Sequence, residues 1–202
     1  MFAKTAEAIA LRLRESNTID DEHYEICRYG LQQGFSIILN VISTIAIGAM
    51  LGMLWQALLF TLLYAPLRSN AGGYHAKTAN RCYVYSILMM IAVLLAIKHI
   101  AIPRFICIIT LFISCGIIIV LAPVEDSNKP LDSIERTMYK KRTYMITAIE
   151  IVLLLVAFFF DAPQITYCIL WVFLTMSVIL IVGKCKDGMN HSLSNVQNNN
   201  PG

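Results

Sequence analysis

The sequence predicts an all-α integral membrane protein: about six transmembrane or membrane-embedded helices behind an amphipathic helical region at the N-terminus. Three observations carry that reading. Of 202 residues, 57% are hydrophobic and only 14% charged, with a mean hydropathy of +0.65, against roughly 25% charged in a soluble globular domain. Long stretches carry no ionisable side chain; Phe35 to Leu67 holds no Asp, Glu, Lys, Arg or His. The cations, finally, are distributed very unevenly along the chain.

Residues 1–34 read as two short helices. Phe2, Ala6, Ile9 and Leu13 recur at helical spacing, with Lys4, Glu7, Arg12 and Arg14 mostly off that stripe. Ser16-Asn17 breaks the pattern. Thr18 is placed to cap the second helix, with Asp20, Asp21 and Glu22 favourable in its first turn. Such a region lies on the membrane surface or packs against the protein's own spans, and composition leaves both open. It is too polar for a cleavable signal peptide.

The uncharged stretch that follows would make roughly 50 Å of helix, too long for one crossing of a ~30 Å core and tight for two. It reads as a short helical hairpin turning near Gly48 to Met53. Four apolar segments follow, about Tyr83 to Ile97, Phe105 to Leu121, Tyr144 to Phe160 and Gln164 to Val182. Several are short for a full crossing, which implies re-entrant geometry or snorkelling flanks. The membrane domain is thus expected over 35–187, with cytoplasmic loops at 68–82 and 122–143. The Asn-rich tail, 188–202, is expected to be disordered.

Charge sets the orientation. With six segments, fourteen of the sixteen Lys and Arg residues fall on one side, and only Lys98 and Arg104 on the other. The positive-inside rule then places both termini and the loop around residue 75 in the cytoplasm of a multi-pass cell-membrane protein. Of six cysteines, Cys107, Cys115 and Cys168 lie within apolar spans, while Cys27, Cys82 and Cys185 face a reducing compartment, so free thiols are expected. There is no CxxC and no HExxH, so no metal site, no cofactor and no nucleic-acid partner are expected.

One polar interruption stands out: RSNAGGYHAKTANRCYVYS, residues 68–86. A thiolate nucleophile needs a nearby base and a field that favours the anion. Cys82 sits where the third span would begin, so the N–H groups of a helix N-terminus favour its thiolate, and His75 is the base within reach in sequence. Seven residues of straight helix would hold the two side chains ~10.5 Å apart along the axis, too far for a proton transfer. The chain must therefore bend or unwind between them, and Gly72-Gly73 permit a reversal just before His75. Irregular backbone at that depth is tolerated where it lines a wet cavity.

The GGYHA stretch, with a cysteine seven residues after the histidine at the head of a span, resembles the accessory gene regulator protein B (AgrB) family. RYGLQ, Arg28 to Gln32, resembles that family's Arg-x-Gly-x-Gln element before the first span. APVEDSNKPL, Ala122 to Leu131, resembles its Ala-Pro-Val-Glu-like loop ending in Lys-Pro. The resemblance implies a membrane cysteine endopeptidase acting on an AgrD-like propeptide with an amphipathic leader and an acidic tail. It implies Cys82 as the nucleophile, His75 as general base and then acid, and a homodimer. Cleavage through an acyl-thioester and closure of a thiolactone or lactone ring are implied likewise.

At the Gln of RYGLQ, Gln32 is an oxyanion donor, a positioning group, or a helix-surface amide. Arg68, Gly73, Lys129, Arg136, Lys140, Lys141 and Arg142 are the expected substrate contacts, with Lys129, Arg136 and Lys140 to Arg142 drawing the acidic tail. Glu125 and Asp126 lie on the side where one could orient His75. The rival reading is a non-catalytic transporter or peptide exporter; Glu150 is its main candidate for an ionisable group inside a span.

Overall fold

The computed structural model describes residues 2–16, 19–74, 79–124 and 132–198. Among these the architecture is all helical: α1 (Phe2–Glu15), α2 (Asp21–Met50), α3 (Leu54–Ala71), α4 (Ala79–His99), α5 (Arg104–Leu121), α6 (Ser133–Phe159) and α7 (Pro163–Asn198). Five helices are long and apolar enough to cross a membrane: α2, α4, α5, α6 and α7. The sixth expected segment, α3, carries Arg68, Ser69 and Asn70 near its end and is less apolar; one face buries Ala57, Phe60, Leu67 and Ala71 fully, while Leu58 and Leu62 are exposed on the other.

The expected hairpin turns where its residues dictate. Gly52 adopts φ +66, and the N–H of Met53 donates to the carbonyl of Gly48 at 2.7 Å while that of Gly52 donates to Ala49 at 3.1 Å. These two bonds form a Schellman ending, which consumes the last carbonyls of α2 without water. Gly48 also lets α3 approach, since a Cβ there would stand 2.9 Å from the Cβ of Ala57.

Boundaries elsewhere differ from composition. α2 begins at Asp21 behind Asp20, whose side chain makes no capping bond, and it crosses the limit expected at 34–35 without a break. Thr18, the expected cap, lies outside the described residues. A nucleated helix extends at little cost through polar residues. For the same reason α7 continues to Asn198, through the tail expected to be disordered from Gly188. The loops are also shorter than expected. α3 takes in Arg68 to Ala71, α4 takes in Ala79 to Cys82, and α6 starts at Ser133 under a capping box formed by Asp132 and Glu135.

α7 is the central element. It packs most extensively on α5, then on α3 and α6, and buries Cys168, Leu170, Phe173, Met176 and Leu180 completely. α1 folds back on α2 with Ala6 and Ala10 buried, and Arg14 lies over the Tyr24 ring. The outward faces are apolar; Phe112, Val120 and Phe159 are among the most exposed side chains. That surface would be a liability in water and is the normal one against lipid.

The two ends of the bundle are chemically distinct. At one end Lys98 donates to the Leu51 carbonyl, Gln56 bonds Gln164 and Arg104 pairs with Asp161. At the other end the turn after α3 meets Val124, which follows α5, and Ile179 of α7, and Cys82 of α4 shares a cavity wall with residues of α3 and α7. All six cysteines are unpaired.

Candidate active site

The site is built from the turn that ends α3. Gly72 and Gly73 both have positive φ, 70 and 119, a conformation that β-carbon-bearing residues resist. The turn is then clipped from two directions. A parallel bridge joins Gly72 to Val124: the N–H of Val124 donates to Ala71 at 3.0 Å and that of Gly73 to Val124 at 3.4 Å. The N–H of Tyr74 donates to the Ile179 carbonyl of α7 at 3.2 Å, and the Arg68 guanidinium donates to the Tyr74 carbonyl at 2.7 Å.

Close approach, as much as φ, requires glycine here. A Cβ on Gly72 would lie 2.1 Å from the Val124 oxygen, and one on Gly73 would lie 2.7 Å from Ile179 Cγ2. Gly183 completes the fit from α7, since its Cβ would lie 2.7 Å from the Tyr74 nitrogen. Sequence reasoning missed Gly183. Its only signal was a glycine at the end of an apolar run, beside Lys184.

Cys82 stands in the first turn of α4 and is exposed. Its neighbour Tyr83 shares a 2.7 Å hydroxyl–hydroxyl hydrogen bond with Ser43 of α2, which fixes the head of α4. Tyr74 meets Tyr85 edge to face, with centroids 6.2 Å apart, and Lys186 Nζ lies 4.9 Å from the Tyr74 ring centroid. Between α3, α4 and α7 lies a cavity of about 480 Å³. Arg68, Tyr74, Cys82 and Ser86 are polar members of its wall; Met89, Val93, Ala96 and Trp171 are apolar ones.

The expected site residues are distributed as follows. Arg68 and Cys82 share the cavity wall, and Gly73 belongs to the clipped turn beside it. His75, Lys129, Glu125 and Asp126 lie outside the described residues. Arg136, Lys140, Lys141 and Arg142 form an exposed basic stretch on the first turns of α6 and do not line the cavity; Lys140 lies over Tyr144 at 5.7 Å. Gln32 is half-buried on α2, eleven residues and therefore about 16 Å along the axis from Ser43. The structure does not bring Gln32 to the cavity wall. Glu150 of α6 is buried, and among the described residues neither carboxylate oxygen has a hydrogen-bond partner.

These features define a polytopic helical membrane protein organised around a cavity with a thiol in its wall, at the end where a glycine turn is clipped. The chain belongs to the accessory gene regulator B (AgrB) family, whose profile matches residues 6–181. It is 27% identical over 162 residues to the accessory gene regulator protein B of Staphylococcus aureus strain Newman, covering 80% of this chain and 84% of that one. It is 25% identical over 149 residues to AgrB-like protein 2 of Clostridium perfringens strain 13, covering 70% of each. No solved structure matches it.

The contact at Gly183 makes a direct prediction. Gly183→Val forces backbone apart and is expected to lower stability by about 1–3 kcal/mol in a detergent-unfolding titration. Gly116→Ala, at a position with open space around it, is expected to change it by under about 0.5 kcal/mol.

Proposed function

We propose that this protein is a membrane-embedded cysteine endopeptidase that trims and cyclises a peptide signal precursor. AgrB family membership implies processing of autoinducing-peptide precursors. The observation that carries the mechanism is the position of Cys82, exposed in the first turn of a membrane helix and in the wall of a cavity.

The Cys82 sulfur attacks the scissile carbonyl carbon while His75 accepts the thiol proton. As the C–N bond breaks, His75 returns that proton to the departing amine, and the C-terminal tail leaves. The acyl group is now a thioester on Cys82. A nucleophile within the peptide then attacks the same carbonyl, giving up its proton, and the Cys82 thiol is regenerated as the ring closes. Water competes at this step, so holding the internal nucleophile close in a sheltered site favours the ring. An oxyanion at Cys82 would lie near the N-terminal end of α4, where the helix dipole favours negative charge. Gln32 is proposed to position the peptide on its approach, since an oxyanion donor must come within ~3 Å of the reacting oxygen. The substrate is an AgrD-like propeptide and the working unit a homodimer.

Intact-mass analysis of the protein in liposomes, mixed with its propeptide, tests the chemistry. The expected product lacks the tail and is lighter by one further water than linear cleavage would give. Cys82→Ala and His75→Ala are expected to insert normally and to lower product formation at least about 100-fold; retained cleavage in either removes that residue from the mechanism.

The buried, unpartnered Glu150 favours a second reading, transport, because ionisable groups inside spans mark transport pathways. In the same assay Glu150→Gln is expected to leave cyclised product within about twofold of wild type. A collapse of transport with unaltered Cys82→Ala processing would move the function to that reading.

The basic stretch of α6, with Lys129, is proposed to attract an acidic tail. Exposed charges act weakly and are screened by salt, so neutralising all five is expected to raise KM at low ionic strength and to do little above about 0.5 M salt. An unchanged KM at low salt discards the assignment.

The clipped end is proposed to be cytoplasmic, by the same asymmetry of cations. On intact cells a membrane-impermeant maleimide is expected to label an Arg104→Cys variant and to leave Cys82 and Cys185 unlabelled until the cells are opened.

A further inference from the structure

Peptide-bond attack at Cys82 needs a thiol, a base and an oxyanion donor; it does not need a deep apolar chamber. Yet the chamber is there, and it starts at the thiol. On α4 its lining positions run Cys82, Tyr85, Met89, Ala92, Val93 and Ala96, spaced three and four apart on a single helical face. Fourteen residues of helix give it a length of about 21 Å. The polarity changes along that length: Arg68, Tyr74 and Ser86 lie toward the thiol end, and the lining reaches Ala96 and Trp171 at the other. The space exists because α4 is held mainly by α2 and touches α3 and α7 only sparsely, and because Ala92 and Ala96 carry no bulk into the gap.

We propose that this chamber is the acyl-side specificity pocket, taking apolar side chains from the residues immediately N-terminal to the bond that Cys82 attacks. The inference rests on Cys82 being the nucleophile. Of the two fragments made by cleavage, the acyl fragment stays covalently attached and must be retained until its ring closes; the amine fragment must leave. An apolar enclosure continuous with the thiol retains the first without hindering the second. At about 480 Å³ the chamber falls within the ~300–1,000 Å³ range of small-ligand pockets, room for more than one side chain. Its walls offer few hydrogen-bonding groups away from the rim, so the side chains it selects are aliphatic or aromatic.

Two peptidyl chloromethyl ketones provide the test, N-acetyl-dileucyl and N-acetyl-diseryl. In each, the thiolate sulfur displaces chloride and a C–S bond forms. Labelling of Cys82 is followed by digestion and mass spectrometry of wild-type protein in phosphatidylcholine vesicles, with rates normalised to those of each reagent with free glutathione. The dileucyl reagent is expected to label Cys82 at least about tenfold faster, within the discrimination that apolar pockets reach; equal normalised rates overturn the proposal. Ala92→Phe and Ala96→Leu fill the chamber and are expected to reduce the preference at least about fivefold, with iodoacetamide labelling of Cys82 as the check on folding. A preference that survives both substitutions also overturns it; if neither variant inserts, the wild-type comparison decides.

A lipid chain is the competing occupant. In the Trp55→Phe protein, Trp171 is the remaining tryptophan, and dibrominated phosphatidylcholine quenches it wherever bromine reaches the chamber. Relief of quenching by the dileucyl reagent supports the peptide assignment; quenching that persists at saturation assigns the chamber to lipid and sinks it. Failure of the underlying mechanism looks different: propeptide is then cleaved by Cys82→Ala, whatever the reagents show.

Discussion

Backbone polar groups packed against other helices must find partners there, and the functional end of this protein depends on how one short non-helical turn meets that constraint. After Ala71 the chain leaves α3 and must still satisfy the N–H groups of Gly73 and Tyr74. It does so by borrowing, from Val124 on one side and from the Ile179 carbonyl of α7 on the other. A helix carbonyl can accept this second bond only if the incoming backbone comes very close, and the missing side chain of Gly183 lets it. Three glycines from two distant parts of the chain therefore serve one function, which is to bring backbone against backbone.

Everything downstream inherits its position from that turn. Tyr74 is held at its nitrogen and, through Arg68, at its oxygen. The chain leaving Tyr74 then leads to α4, whose head is tied separately to α2 by the Ser43–Tyr83 hydroxyl pair. Cys82 is thus carried on a helix fixed to α2, while the turn before it is fixed to α7. The chamber is the gap between those two attachments, which explains why a bundle otherwise well packed around α7 contains so large a space beside the thiol.

Much of the fold was legible in the sequence because the bilayer imposes simple rules. The hairpin at Gly48 to Met53 followed from run length, and Gly52 supplied the left-handed residue that the turn needs. Gly72-Gly73 and Cys82 were singled out by polarity and chemistry, and the turn and the thiol do meet at one end of the bundle. The misses have physical causes. Composition ends a segment where polarity rises, but a helix continues wherever its hydrogen bonds continue, so α2 runs unbroken past 34–35 and α7 runs on to Asn198. Gly183 was missed because a glycine ending an apolar run says nothing of the neighbour it serves, Tyr74, 109 residues earlier in the chain. Gln32 was carried by its motif, and no sequence rule placed it along the axis of α2. The face of α4 that lines the chamber was written at helical spacing from Cys82 onward, but small residues on a membrane helix read equally as a site of tight packing.

The helix lengths carry a further consequence. α2 has 30 residues and α5 has 18, or about 45 Å and 27 Å of helix. The first fourteen residues of α2, Asp21 to Gly34, are largely polar, so its uncharged part runs from Phe35 to Met50, 16 residues or about 24 Å. Both apolar lengths fall short of a ~30 Å hydrocarbon core, so the bilayer thins beside them at a cost in free energy that depends on lipid chain length. The thickness of the surrounding membrane therefore acts on this protein as a mechanical load, passed from α2 through the Ser43–Tyr83 tie to the helix that bears the thiol.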